Sequence, residues 1–155
     1  MLLTLYLNKQ ELIKNGTKYR DMEKIIVEVY FTGTNYSAHV PQLPGCVAVG
    51  DSIEEIEKSM NSAVPFHIEG QSESDGNIPD VFKGEYELVY KFSAEALLNA
   101  YSNIFTKAAL SRITGINERQ LWHYAAGVSK PRPAQLKRIE EGIHKIGRQL
   151  IAISL

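Results

Sequence analysis

Hydrophobic and polar positions alternate along residues 24–31 (KIIVEVYF), a run rich in β-branched and aromatic side chains, which predicts a strand. Thr32, Gly33, Thr34 and Asn35 supply a hairpin turn, and residues 36–40 predict the return strand. Two prolines and a glycine stiffen residues 41–45 (PQLPG), and residues 46–49 predict a third short strand. Three strands joined by short turns form an antiparallel meander. At Gly50-Asp51 the period changes from two to 3.6. Asp51 is expected to cap a helix, with Glu54 three residues on completing a capping box. Ile53, Ile56, Met60, Ala63 and Val64 form its apolar stripe, and Glu54 and Glu55 suit the dipole of its first turn. Pro65 is expected to kink or end this helix, with Phe66 and Ile68 continuing the buried side. Residues 71–80 (QSESDGNIPD) read as a loop, and alternation resumes over 84–92 as a fourth strand. Ser93 then opens a helix in which Ala96, Leu97, Ala100 and Tyr101 can face a core. This helix is expected to join the two halves of the chain.

Residues 106–133 predict two short helices and a tight turn. Lys107 to Thr114 is followed by Gly115, which ends helices because it enters the left-handed region without a Cβ clash. Ile116 plugs the turn, Asn117 can cap the second helix, and Gln120 stands where it completes a capping box. Leu110, Ser111, Gly115, Ile116, Leu121 and Tyr124 fit the core positions of a helix-turn-helix. Residues 134–154 predict a last helix, with Leu136, Ile139, Ile143, Ile146, Leu150 and Ile151 on one side. It is expected to pack behind the helix pair, with its apolar tail available for dimerisation. Residues 1–22 are the least periodic part: a strand over 2–7, a helical turn over 9–14 and a turn at Asn15-Gly16 are the readings there.

Charge changes the picture. The chain has 155 residues and a net charge of −1, but residues 101–155 hold nine Lys or Arg against three Asp or Glu, whereas residues 1–100 hold eight against fifteen. A split of this size predicts an acidic module beside a nucleic-acid-binding one. The acidic module repels DNA and suits a basic partner. Cys46 is the single cysteine, which excludes an intramolecular disulfide and a cysteine metal cluster; it reads as a small, half-buried strand residue rather than a nucleophile. His39, His67, His123 and His144 lack zinc-motif spacing, so no metal or cofactor is expected. No signal peptide or membrane-spanning run is legible, and the expected location is cytoplasmic.

The outer face of the helix pair carries the candidate binding chemistry. Thr106 and Lys107 stand at the N-terminus of the first helix, where a hydroxyl and free N–H groups suit a phosphate. Asn117, Glu118, Arg119, Trp122 and His123 project from the start and outer side of the second, where such a helix meets base edges in the major groove. Lys130 and Arg132 follow in a proline-stiffened loop suited to the DNA backbone. A plain αα-hairpin with a solvated charged face is the alternative; the agreement of turn, caps and basic loop favours DNA.

Two stretches together resemble a known family. Pro41-Gln42-Leu43-Pro44-Gly45-Cys46, followed by Gly50-Asp51-Ser52-Ile53-Glu54-Glu55, is similar to the HicB antitoxins, and the second half is similar to a lambda-repressor-type (Xre-like) helix-turn-helix. The resemblance covers about residues 24–150 and implies an α+β protein with a βββαβ partial RNase H-like toxin-binding domain (23–92) and an all-α DNA-binding domain (93–155); the N-terminal extension (1–22) departs from the family's usual start. It further implies a HicA-like basic ribonuclease toxin as partner, blocked at its active site, and repression of the shared operon at operator double-stranded DNA. Because one short recognition helix contacts few bases and paired half-sites add specificity, a homodimer or higher homo-oligomer is expected. A stand-alone helix-turn-helix regulator with a ligand- or protein-sensing first domain is the runner-up. A third reading, a metal-dependent nuclease, would have to use Glu28, Asp51, Glu85 and Glu87. Asp51 already has a capping role, and alternation makes Glu85 and Glu87 solvent-side residues, so no catalytic residue is assigned and no enzyme is expected.

Overall fold

The computed structural model of the protein describes residues 22–73 and 77–154; the readings at 2–7, 9–14 and Asn15-Gly16 lie outside them. The elements are β1 (Glu23–Phe31), β2 (Tyr36–His39), β3 (Val47–Gly50), α1 (Ile53–Glu73), a 3-10 turn (Asp80–Phe82), β4 (Tyr86–Phe92), α2 (Ala94–Ala100), α3 (Lys107–Thr114), α4 (Glu118–Ala125) and α5 (Pro133–Ile151). A sheet followed by helices makes the protein α+β, in the βββαβ order expected for its first part.

The four strands lie in the order β3-β2-β1-β4. Gly33, at φ 102°, turns the chain from β1 into β2, and the Thr32 N–H donates to the Asn35 carbonyl at 2.9 Å. β1 and β2 pair antiparallel with Glu28 opposite His39, and β2 and β3 with Ala38 opposite Ala48. The chain then crosses over through α1, so β4 returns parallel to β1, with Glu28 beside Lys91. The proline loop has a packing role: Leu43 is fully buried, and the Leu43 and Cys46 N–H groups donate to the Val40 and Leu43 carbonyls at 3.0 Å each.

Alternation puts Ile25, Val27 and Val29 of β1 on one face of the sheet, against Ile56, Met60 and Val64 of α1. Each such side chain contributes about 1.5–3 kcal/mol by leaving water. Cys46 is fully rather than half buried, and burial pushes its thiol pKa up. A second core gathers Leu98, Leu110, Ile116, Leu121, Tyr124, Ala125 and Ile139 from α2 to α5 and the α3–α4 turn.

Several local expectations need correction. Ser52, not Asp51, caps α1: its hydroxyl accepts from the Glu55 N–H at 3.2 Å, and the Glu55 carboxylate accepts from the Asp51 N–H at 2.9 Å. The box is displaced by one residue because Ser52 offers a hydroxyl at the position that keeps Ile56 inward. Pro65 neither ends nor interrupts α1, which continues to Glu73 and takes in the start of the expected loop. Asn61, whose carbonyl loses its usual partner at Pro65, is exposed, as is Pro65 itself, so water can serve the group that the proline leaves unpaired. Phe66 is exposed rather than buried, while Ile68 packs on the core. In α5, Ile139 is buried, but Leu136, Leu150 and Ile151 are exposed.

Gly142 of α5 is buried where that helix crosses α3; a Cβ there would lie 2.9 Å from the Ile113 Cγ2 and 3.1 Å from the Thr114 Cγ2. Gly142→Leu is expected to destabilise the helical half by about 1–3 kcal/mol through overpacking, despite the better helix propensity of leucine. Thermal denaturation followed by circular dichroism checks it; an unchanged melting temperature would show that α5 does not lean on α3 at this point.

Candidate nucleic-acid interface

The three residues between α3 and α4 are set by backbone chemistry. Gly115 adopts φ 67° and its N–H donates to the Ser111 carbonyl at 2.8 Å, closing α3. Ile116 is buried under the turn, and its N–H donates to the Thr114 hydroxyl at 3.2 Å. Arg138 of α5 completes the C-terminus: its Nε donates to the Thr114 carbonyl at 3.1 Å and its Nη2 to the Gly115 carbonyl at 3.0 Å. A guanidinium meets two orphan carbonyls and the negative end of the helix dipole together. Asn117 caps α4 by accepting from the Arg119 N–H at 2.9 Å. Gln120 does not complete a box; its amide reaches the Ser129 hydroxyl at 3.4 Å, which ties α4 to the loop that follows.

Seven of the nine candidate binding residues are exposed. Thr106 caps α3 by accepting from the Ala109 N–H at 3.1 Å. At the start of α4, Asn117, Glu118 and Arg119 are exposed, and one turn on Trp122 is 58% exposed while His123 is half-buried. Lys107 departs from expectation. It is buried, its Nζ donates to the Leu98 carbonyl at 3.0 Å, and it lies 5.4 Å from the centre of the Trp122 ring. Its ammonium is therefore spent inside the protein, held between a carbonyl and an aromatic face, and burial lowers its pKa. Trp122 forms the outer cover of that ammonium.

Gly127, at φ 68°, turns the chain away from α4, and the Val128 N–H donates to the His123 carbonyl at 3.0 Å. Lys130 and Arg132 follow, both exposed and flanked by Pro131 and Pro133. Lys130 also lines a cleft of about 400 Å³ shared with Glu28, Tyr30 and Lys91 of the sheet, Glu95 of α2 and Tyr124 of α4. The structure thus gathers Asn117, Glu118, Arg119 and Trp122 on one short helix, and sets Lys130 against the sheet.

Two of the four carboxylates of the nuclease reading, Glu28 and Glu87, are engaged by neighbouring side chains. Glu28 accepts from the Tyr30 hydroxyl at 2.7 Å and from the Lys91 Nζ at 3.2 Å, and these hydrogen bonds, Tyr30's first, hold its pKa below the usual carboxylate range. Glu87 lies 3.9 Å from the Lys24 Nζ, and Asp51 stands at the start of α1. Among the described residues no three of His, Cys, Asp and Glu come together to hold a metal ion, and no helix is long and apolar enough to cross a membrane.

Sequence reasoning missed Arg138, the buried role of Lys107, and Asn99, whose amide donates to the Glu95 carbonyl at 2.8 Å and the Ala125 carbonyl at 2.7 Å. The charge on α5 gave no sign that one of its arginines serves another helix. Lys107 carried a faint signal: a lysine at the first position of a helix works against the dipole unless its ammonium is taken elsewhere.

Residues 23–90 match the family described as "HicB_like antitoxin of bacterial toxin-antitoxin system". The chain is also 41% identical over 44 residues to an uncharacterized 14.9 kDa protein from the rep-hol intergenic region of Haemophilus phage HP1. That similarity covers 28% of this chain and 33% of the phage protein.

The buried ammonium makes a pH prediction. A lysine with a lower pKa folded than unfolded opposes folding wherever both forms are charged, and the opposition fades as pH rises from the folded pKa toward the 10.5 of a free lysine. Relative to Lys107→Met, the wild type should therefore gain stability as the medium is made alkaline. Urea melts of both proteins from about pH 7 to 10 measure this, with tyrosine ionisation common to the pair; parallel curves would exclude a desolvated ammonium.

Proposed function

From the match of residues 23–90 to the HicB-like antitoxin family we propose that the protein is the antitoxin of a type II pair. In this reading residues 23–92 hold a HicA-like basic ribonuclease toxin and cover its active site. Residues 93–155 repress the shared operon through α3 and α4, as a homodimer or higher homo-oligomer in the cytoplasm. The protein itself is not an enzyme; it works by occlusion.

The observation that carries the reading is the match of the acidic half to an antitoxin family. The basic half adds to it. A cap at Asn117, a sharp turn at Gly115 and a short helix with exposed Glu118, Arg119 and Trp122 make a surface suited to the major groove. Arg119 is suited to guanine, to which a guanidinium donates two hydrogen bonds, and Glu118 to cytosine or to orienting Arg119. Trp122, fixed over Lys107, offers its exposed edge to a sugar or a thymine methyl. Thr106, Lys130 and Arg132 suit phosphates. One short helix reads few bases, and a two-fold pair reading half-sites about 34–36 Å apart supplies the missing specificity. The cleft between the sheet and the 127–131 loop favours the second reading, a regulator whose first domain senses a ligand or protein.

Two experiments test these roles. Coexpression with the small basic product of a neighbouring reading frame should relieve growth arrest, and should still do so after residues 93–155 are removed; loss of rescue on that deletion would count against the first-half assignment. For DNA, titrations against operator and scrambled duplexes at several salt concentrations separate two kinds of contact. Arg119→Ala should flatten preference at one base pair, worth roughly 1–3 kcal/mol. Lys130→Ala with Arg132→Ala should weaken binding to every sequence and lower the salt slope by up to about 1.8. Wild-type preference in Arg119→Ala would remove α4 from the groove.

A further inference from the structure

Val47, Val49 and Phe66 are 63%, 62% and 78% exposed, whereas Ala48, between the two valines, is buried in the sheet core. Val49 and Phe66 line an open groove between β3 and α1, with Ala63 at its floor and Glu55, Lys58, Ser59 and Ser62 along the α1 side. β3 is also an edge strand: among the described residues it pairs with β2 alone. Its sequence, Val-Ala-Val-Gly, has none of the charges or prolines by which proteins guard a free edge. An incoming strand or extended loop there finds backbone groups to pair with and apolar side chains to cover.

The charge around the groove selects its occupant. Asp51, Glu54 and Glu55 are exposed at one end, and Glu69 stands one turn beyond Phe66. Residues 23–92 hold twelve Asp or Glu against four Lys or Arg. A second copy of this acidic surface would bring like charges together, which costs affinity and slows encounter, whereas a basic protein is drawn in. We propose that the β3–α1 groove is the docking site for the basic toxin, with a toxin strand or loop laid along β3, an apolar side chain against Val49 and Phe66, and basic residues over the acidic ends. This rests on the antitoxin reading and adds to it a location on the molecule.

The test uses the full chain and, as probe, the purified small basic product of the reading frame beside its gene. Calorimetric titration is made with the wild type, Val49→Lys, Phe66→Asp, the milder Phe66→Ala, and Val128→Lys as a control on an exposed residue of the other half. Circular dichroism melts confirm that each variant folds. The expected result is at least about a tenfold loss of affinity for Val49→Lys and Phe66→Asp, and several-fold for Phe66→Ala, with Val128→Lys unchanged. If the wild type binds and the groove variants bind equally well, the docking site is elsewhere and the antitoxin reading stands. If the wild type does not bind, both fall. If light scattering shows a wild-type oligomer that Val49→Lys and Phe66→Asp dissociate, the groove joins copies of this chain, and the proposal is overturned.

Discussion

Helix α2 has to satisfy two cores with seven residues. Ala96 is buried in the sheet core, and Leu98, two positions later, is buried in the helical one. Its N-terminus is fixed to the sheet, since the Ser93 N–H donates to the Val29 carbonyl at 2.8 Å and the Ser93 hydroxyl accepts from the Ala96 N–H at 3.1 Å. From its other side Asn99 reaches the last turn of α4, and the Leu98 carbonyl takes the Lys107 ammonium of α3. The direction in which α4 presents Arg119 is thereby referred back to β1. A plain linker would leave the two halves to tumble independently; here hydrogen bonds and buried side chains fix one on the other.

Much of this was legible because it depends on local chemistry. The β1 alternation, the turn at Gly33, the cap at Ser93 and the positive φ of Gly115 follow from the residues within one or two turns. The errors arise where distant or competing chemistry decides. Pro65 is a helix breaker by itself, yet the packing of Ile56, Met60 and Val64 on the sheet outweighs one lost hydrogen bond. Asp51 and Ser52 are both good caps, and the register of the apolar stripe chose between them. Alternation along 84–92 marks a strand but is silent on its neighbour; that β4 lies parallel beside β1 follows from the crossover through α1. For the candidate interface, sequence supplied the face of α4, but Lys107 and Arg138 look like ordinary surface cations until α2 and the end of α3 are brought to them.

The division of charge also has a structural meaning. Acidic groups cluster on α1, basic ones on the loop after α4 and on α5. The two come nearest at the cleft where Glu28, Glu95, Lys91 and Lys130 face a common space. The sheet surface is thus a cleft's width away from the loop that carries Lys130 and Arg132.

The parallel pairing of β1 with β4 sets an order of events in synthesis. Lys91 meets Glu28 across 63 residues of chain, which at 5–20 residues per second takes about 3–13 s to emerge. During that interval β1, later an interior strand, is an edge, and its apolar face awaits closure. The helical half has the opposite character, built from neighbours close in sequence and therefore quick to assemble. A chain cut short within α1 leaves β1 as an unpaired edge, open to pairing with its own kind.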